Sequence, residues 1–219
     1  MTMHLSLQAF RYVSTILLFA GLSAGADLAS AQRAYQEKDY AAALKESTPL
    51  AAQGNADAQL LLGRMYLMGQ GVSKDTGQAA KWFKASAEQG NTDAQFMLGS
   101  MYLLPQKDVA EGVRWLRLSA EHGNQDAQYL LGRAYAQGLQ GLPRDPVQAE
   151  MWLWLAAKEN LPFYKTELDS AEGQMTGDEI ARGRALAAAW KPKTGPKPGD
   201  KPQADEDSRK DGKPKSQQL

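Results

Sequence analysis

The sequence of 219 residues contains no cysteine and only two histidines. The absence of cysteine excludes disulfides, thiolate zinc sites and a cysteine nucleophile. His4 lies in an N-terminal apolar segment, so His122 is the one histidine left in the rest of the chain. No Ser-His-Asp set, histidine metal cluster, phosphate-binding loop or dinucleotide fingerprint is present. We therefore predict a protein that is not an enzyme and has no cofactor or metal, with an envelope hydrolase built on paired carboxylates as the unfavoured alternative.

An excess of charge of either sign is also absent. The chain has 25 Lys and Arg residues against 25 Asp and Glu residues, which gives a formal net charge of zero. A protein whose main surface binds nucleic acid usually carries a clear positive excess. The composition therefore predicts no nucleic-acid partner.

The sequence lacks an apolar run of the roughly 20 residues that a membrane-spanning helix needs. Residues 1–26 instead combine a basic residue, Arg11, with a short apolar run, Val13–Leu22, and an Ala24-Gly25-Ala26 ending. This order is typical of a secretory signal peptide. We predict a periplasmic or secreted protein; the alternative is an uncleaved signal that anchors it to the inner membrane.

Two A-x-A sites compete for cleavage. Ala29-Ser30-Ala31 would cut into the first predicted helix, whereas cleavage after the earlier site leaves Asp27 at the start of that helix. A carboxylate is electrostatically favoured near a helix N-terminus. We therefore predict cleavage before Asp27.

What the sequence does contain is an internal repeat. The tripeptide Asp57-Ala58-Gln59 returns at 93–95 and at 126–128, at steps of 36 and 33 residues. A glycine and a tyrosine return at the same steps: Gly63, Gly99, Gly132; Tyr66, Tyr102, Tyr135. Self-similarity at this period indicates stacked helix-turn-helix units. The sequence therefore predicts an all-α fold, an α-solenoid.

The repeat period also predicts the domain organisation. A helical repeat domain covers 27–190, and a Lys/Pro-rich tail, 191–219, has too little apolar surface to fold. The domain divides into a short N-terminal repeat, three full repeats and a C-terminal cap: 27–55, 56–92, 93–124, 125–160 and 161–190. The tail is predicted to be a disordered, solubilising segment, with weak contact to cell wall or membrane surface as the sharper alternative.

Residue types at repeated positions predict structural roles. An aspartate precedes each second helix, where it is a preferred N-cap and not a metal ligand: Asp39, Asp75, Asp108, Asp145. The repeated glycines indicate close helix crossing, because glycine inside a helix otherwise costs about 0.5–1 kcal/mol. The repeated tryptophans are predicted to fill the core and not to form a carbohydrate platform: Trp82, Trp115, Trp152.

The unit A-D-A-Q-x-x-L-G-x-x-Y…G-x-G-V…K-D…A…W-x-x-x-A-x-x-G resembles the Sel-one-like repeat (SLR), a relative of the tetratricopeptide repeat. The resemblance covers roughly two thirds of the predicted mature globular part. It implies a right-handed solenoid and a role as an exported or membrane-lumen adaptor that binds other proteins in signalling, secretion or envelope assembly. It identifies neither the partner nor the oligomeric state.

In such an array the first helix of each repeat is expected to line the concave face. Nine residues on these helices are predicted to bind a partner: Leu60, Arg64, Leu67, Phe96, Ser100, Leu103, Tyr129, Arg133, Ala136. Aromatic residues with arginine are typical interface anchors, and an extended peptide or helix with acidic groups would suit them. The alternative is that Leu60, Phe96 and Tyr129 pack internally.

The predicted function is therefore a non-enzymatic protein-binding adaptor or scaffold of the bacterial cell envelope. The alternative is a structural envelope protein associated with cell-wall polymer.

Overall fold

A computed structural model describes residues 27–103, 108–159 and 161–194. The predicted signal peptide, 1–26, and residues 195–219 of the predicted tail lie outside the described residues. Ten α-helices lie within them: α1 Leu28–Gln36, α2 Tyr40–Ala52, α3 Ala56–Met68, α4 Thr76–Ala87, α5 Thr92–Leu103, α6 Val109–Glu121, α7 Gln125–Gln137, α8 Pro146–Ala157, α9 Pro162–Glu172 and α10 Gly177–Ala189. None of these ten helices is long and apolar enough to cross a membrane.

The helices begin where capping chemistry predicts. The side chains of Asp39, Asp75, Asp108 and Asp145 each accept a hydrogen bond from the backbone N–H three residues later, at the start of α2, α4, α6 and α8. These bonds satisfy donors that the first helical turn leaves free. The predicted N-caps are confirmed.

The helices pack in chain order. The pairs α3/α4, α5/α6 and α7/α8 form hairpins, and the second helix of each hairpin also packs against the first helix of the next. The last helix departs from this order because α10 packs against α8. The result is the predicted all-α solenoid, in which α3, α5 and α7 are the first helices of three successive repeats.

The repeated glycines lie where the two helices of a hairpin cross. A Cβ atom on Gly132 would lie 2.7 Å from Leu153 Cγ and 3.0 Å from the Leu153 backbone nitrogen. A Cβ on Gly99 would lie 2.8 Å from Leu116 Cγ. Real Cβ atoms do not approach their neighbours so closely, so these positions need glycine. The predicted close crossing is confirmed.

The repeated tryptophans are mostly internal. Trp115 and Trp152 are 5% and 4% exposed, and Trp82 is half-buried against the N-terminal core cluster. Trp152 also makes an edge-to-face contact with Trp190, the residue after α10, at a centroid distance of 6.4 Å. Burial of these side chains supports the core role that the sequence predicts.

The Asp-Ala-Gln tripeptide joins successive repeats. Its alanine is fully buried in all three repeats, and its glutamine is also buried. The Nε2 atoms of Gln59, Gln95 and Gln128 donate to a carbonyl at the end of the preceding helix, at 3.1, 3.3 and 3.2 Å. The tripeptide therefore recurs because a small residue permits close packing while the amide gives the helix-terminal carbonyl a second donor, in addition to the backbone N–H of the glycine that follows each helix.

One junction lacks a bond that its neighbour has. Gln89 Nε2 donates to Gln59 Oε1 at 2.7 Å. One repeat later His122 occupies the position of Gln89, and its Nδ1 lies 2.8 Å from the Leu118 carbonyl oxygen. Gln95 Oε1, the equivalent acceptor, is buried without a hydrogen-bond partner. His122 therefore has a structural position. Because histidine stands here in place of the glutamine of the preceding repeat, the Gln95 Oε1 acceptor at this junction has no donor.

The C-terminal part of the described chain begins with a capped helix. Thr176 and Glu179 form the predicted capping box, and α10 follows it. After α10, the Lys193 N–H donates to the Glu121 carbonyl, and Lys193 Nζ lies 2.7 Å from Glu121 Oε2. These two contacts bring the first residues of the predicted tail to the end of α6.

Candidate functional site

A cavity of about 320 Å³ lies between α7, α8 and α9. Its lining combines two arginines and one glutamate with amide and apolar side chains: Arg133, Ala136, Gln137, Arg144, Leu153, Glu167, Ser170, Ala171, Gln174, Met175. Two of the nine predicted binding residues, Arg133 and Ala136, are among them. The cavity therefore borders the part of the predicted face that lies on α7.

Helical spacing explains how the two walls form. On α7, Ala136 and Gln137 come three and four residues after Arg133, which places all three on one side of the helix. On α9, Glu167 and Ala171 are one turn apart and face them. Leu153 of α8 supplies apolar surface between the walls. The cavity is thus bounded by two helices at the end of the array and the helix that connects them.

Arg144 closes one end of the cavity and is firmly held. Its Nε donates to the Ala136 carbonyl at 3.2 Å, and its Nη2 donates to the Gln174 carbonyl at 2.8 Å. The arginine thereby joins the C-terminal part of α7 to the turn after α9. Because two donors are engaged with backbone acceptors, the position of this guanidinium is set by the fold.

Arg133 is held less tightly. Its Nη1 donates to the Tyr129 hydroxyl at 3.0 Å, whereas its Nε lies 3.8 Å from Glu167 Oε2, which is beyond hydrogen-bond distance. The side chains of Arg133 and Glu167 are 43% and 36% exposed. The Tyr129 hydroxyl donates to Glu167 Oε2 at 3.2 Å. Burial is the main reason that the pKa of Tyr129 is raised.

The Sel1 repeat family model matches residues 56–91, 92–124 and 125–161. Residues 56–161 are three successive Sel1 repeats. Sel1 repeats are typically protein-interaction modules, and the fold is generally non-catalytic.

Two solved structures are similar to this Sel1 protein. A Sel1 repeat protein from Oxalobacter formigenes is 30% identical, with a TM-score of 0.60; the match covers 65% of this chain and 59% of that protein. The antigen c5321 of uropathogenic Escherichia coli strains, which displays an SLR fold, is 30% identical over 68% of this chain and 40% of its own, with a TM-score of 0.41. No curated protein matches the chain.

The predicted binding face is less accessible than expected. Leu60, Leu103 and Tyr129 are 8%, 4% and 8% exposed, and Phe96 is half-buried against the core. The expectation that Leu60 and Tyr129 offer an apolar surface is therefore wrong, because the neighbouring helices of the Sel1 array cover them. The alternative, internal packing, holds for these two residues.

The covering of Tyr129 has a specific source. Its ring makes edge-to-face contacts with Phe163 and Tyr164 of α9, at centroid distances of 5.1 and 5.5 Å. Tyr164 also donates a hydrogen bond to Asp126 at the start of α7. The sequence predicted α9 as part of the cap, and the contacts show that it also lies across the end of the predicted face.

Six of the nine predicted residues are half-buried and retain accessible surface: Arg64, Leu67, Phe96, Ser100, Arg133, Ala136. Arg64 forms a salt bridge with Asp93 on the next repeat at 3.2 Å. Sequence reasoning did not select Arg144, Glu167 or Gln174 for the site. The one available signal was the position of Arg144 directly before the N-cap aspartate, and that signal indicates a turn and not a cavity.

A second group of charged residues lies away from the cavity. Glu150 of α8 has no accessible surface, and its Oε1 accepts from Arg184 Nε at 3.1 Å. Burial raises the pKa of Glu150 to about 7, and repulsion from Glu172 adds to the effect. Since Glu150 does not line the cavity, it is not placed to exchange a proton with a bound molecule. No group of three or more potential metal-binding side chains occurs among the residues that the structure describes.

Proposed function

We propose that this Sel1 protein is a non-enzymatic adaptor of the bacterial cell envelope that binds a partner protein or peptide across α5 and α7. The observation that carries the proposal is the cavity between α7 and α9, which places two guanidiniums, amide groups and apolar surface at the end of the predicted face. The general role of Sel1 repeats in protein interaction supports it. Arginine is among the residue types enriched at the energetic centres of protein interfaces.

The envelope location rests on the N-terminal segment. Residues 1–26 have the composition of a secretory signal. Fractionation of cells that express the full chain with a C-terminal epitope tag tests this part. We expect the protein in the periplasmic fraction at the mass that cleavage before Asp27 gives; recovery in the cytosol at full mass refutes it.

The binding face is tested with the partner captured from the periplasm by affinity purification. Phe96→Ala removes a half-buried aromatic side chain, and Arg133→Ala removes a guanidinium from the cavity. Truncation of an interface anchor usually costs at least about tenfold in affinity. We expect losses of this size by isothermal titration calorimetry, with circular dichroism unchanged.

The matched control is Arg114→Ala. This arginine is also exposed on a helix, but it pairs with Glu111 within α6 and does not line the cavity. We expect its affinity for the partner to equal that of the unmodified chain. Equal affinities for all three variants would refute the assignment of this face. Tyr129 is not used, because its removal would also loosen α9.

A further inference from the structure

The two arginines of the cavity differ in how strongly they are engaged. Arg144 is fixed by two backbone carbonyls, whereas the contact of Arg133 with Glu167 is an ion pair of 3.8 Å with both side chains partly exposed. Exposed pairs of this kind contribute little, because water screens them. The carboxylate of Glu167 is therefore a weak occupant that a better-placed anion can displace from Arg133.

The lining contains more positive than negative charge. Two guanidiniums face the cavity against one carboxylate, that of Glu167. Glu179 also interacts with Arg144, but its carboxylate accepts from the Thr176 N–H at 2.7 Å and it does not line the cavity. The balance favours a ligand with one negative charge. A monoanion would bring the net charge of the lining to zero, whereas a dianion such as phosphate would leave a net negative charge.

The remaining lining suits an amino-acid side chain. Leu153, Ala171 and Met175 provide apolar surface for methylene groups, and Gln137 and Gln174 provide amide groups. A volume of about 320 Å³ holds a side chain with part of its backbone. Guanidiniums bind carboxylates with short, charge-assisted hydrogen bonds and often in a two-point geometry.

We propose that the cavity is a subsite for an acidic side chain, Asp or Glu, of the partner, whose carboxylate replaces Glu167 at Arg133 and lies between Arg133 and Arg144. This deepens the proposed function and rests on it for the statement that the ligand belongs to a protein. The occupation of the cavity by a carboxylate is a property of this chain alone and is tested without the partner.

The test is a ¹⁵N NMR titration of the chain from residue 27 to 219 with N-acetyl-glutamic acid α-amide, which presents one side-chain carboxylate. We expect saturable shifts of the Nε–Hε signals of Arg133 and Arg144, with a dissociation constant on the order of millimolar for one charge-assisted contact pair. The neutral analogue N-acetyl-glutamine amide should bind at least about tenfold more weakly, because it loses the charged acceptor.

Three variants sharpen the test. Glu167→Gln removes the competing carboxylate and should tighten binding by about two- to fivefold, the range of an exposed ion pair. Arg133→Gln should weaken binding by about tenfold or more. Arg114→Gln is the matched control, because Arg114 is a partly exposed arginine that pairs with Glu111 within α6 and does not line the cavity; the affinity of this variant for the acid should equal that of the unmodified chain.

Several results would overturn the inference. The cavity is not a subsite for a side-chain carboxylate if the acid and the amide bind equally well, or if Glu167→Gln binds the acid more weakly than the unmodified chain does. The same conclusion follows if N-acetyl-glutamine with a free C-terminus, or inorganic phosphate, binds more tightly than the acid. If Phe96→Ala weakens binding of the captured partner while the acid does not bind, the subsite is refuted and the proposed function stands. If the acid binds as expected while Phe96→Ala leaves partner affinity unchanged, the proposed face fails and the subsite stands.

Discussion

Glu150 is expected to make the stability of the protein depend on pH in an unusual direction. Burial raises the pKa of its carboxyl from 4.5 to about 7 in the folded state. Between these two values the folded chain holds a proton that the unfolded chain has lost. The free energy of unfolding therefore falls as pH rises through this interval, whereas most paired carboxylates stabilise a fold as pH rises.

The surroundings of Glu150 set the size of the effect. Arg184 of α10 donates to its Oε1, the Oε2 atom is buried without a partner, and Glu172 at the end of α9 shares the same arginine at 2.6 Å. The interval from 4.5 to about 7 corresponds to at most about 3 kcal/mol. The neighbouring Arg184 side chain is 44% exposed, so water close to the carboxyl group lessens the desolvation that raises its pKa, and we expect about 1–3 kcal/mol.

The perturbation is Glu150→Gln, which keeps the shape of the side chain and cannot ionise. Urea unfolding followed by circular dichroism, at about pH 5 and about pH 8, gives the free energy of unfolding of each protein. We expect the fall between the two pH values to be smaller in the variant by about 1–3 kcal/mol. The control, Glu111→Gln, removes a carboxylate that is exposed on α6 and should keep the full dependence. A variant at Glu150 with the same pH dependence as the unmodified chain would refute the reasoning.

Two further predictions concern the repeat junctions and use the same unfolding assay at a single pH. Gly132→Ala should destabilise the protein by about 1–3 kcal/mol, because the added Cβ meets the backbone of α8. The control Gly177→Ala, whose added Cβ has no atom within 4 Å, should be neutral or stabilising by up to about 1 kcal/mol. Equal effects of the two substitutions would argue against the close crossing. His122→Gln should stabilise by about 1 kcal/mol by supplying a donor to the buried Gln95 Oε1, and an unchanged or lowered stability would show that the repeat geometry does not transfer to this junction.

Features that depend on local chemistry were predictable from the sequence. A helix N-cap needs only the residue itself and the next turn, so Asp75 and Asp145 are recognisable without knowledge of the fold. The close approach at Gly99 and Gly132 was predictable because glycine, which is unfavourable inside a helix, recurs at the same helical position in every full repeat. The repeat converts a weak local signal into a strong one, which is why the architecture follows from sequence.

Features that depend on the end of the array were not predictable in the same way. The burial of Tyr129 depends on α9, which lacks the Asp-Ala-Gln tripeptide and so has no predicted register against α7. The packing of α10 against α8 depends on Gly183, whose added Cβ would collide with Glu150. Neither contact has a counterpart in an earlier repeat from which it could be transferred.

The comparison of Arg64 with Arg133 shows why the candidate site itself lay beyond sequence reasoning. The two arginines occupy the same position in two repeats, so the pattern assigns them the same role. In the structure Arg64 meets the Asp93 carboxylate of the following repeat at 3.2 Å, whereas the carboxylate nearest to Arg133, that of Glu167 on α9, lies at 3.8 Å and Arg133 borders a cavity. The difference comes from the helix that supplies the carboxylate. For Arg64 this is α5, the first helix of a regular repeat, whereas for Arg133 it is α9, which does not follow the repeat pattern. The cavity therefore lies where the repeat pattern stops: the regular repeat after α3 brings Asp93 to 3.2 Å from Arg64, whereas α9 brings Glu167 only to 3.8 Å from Arg133.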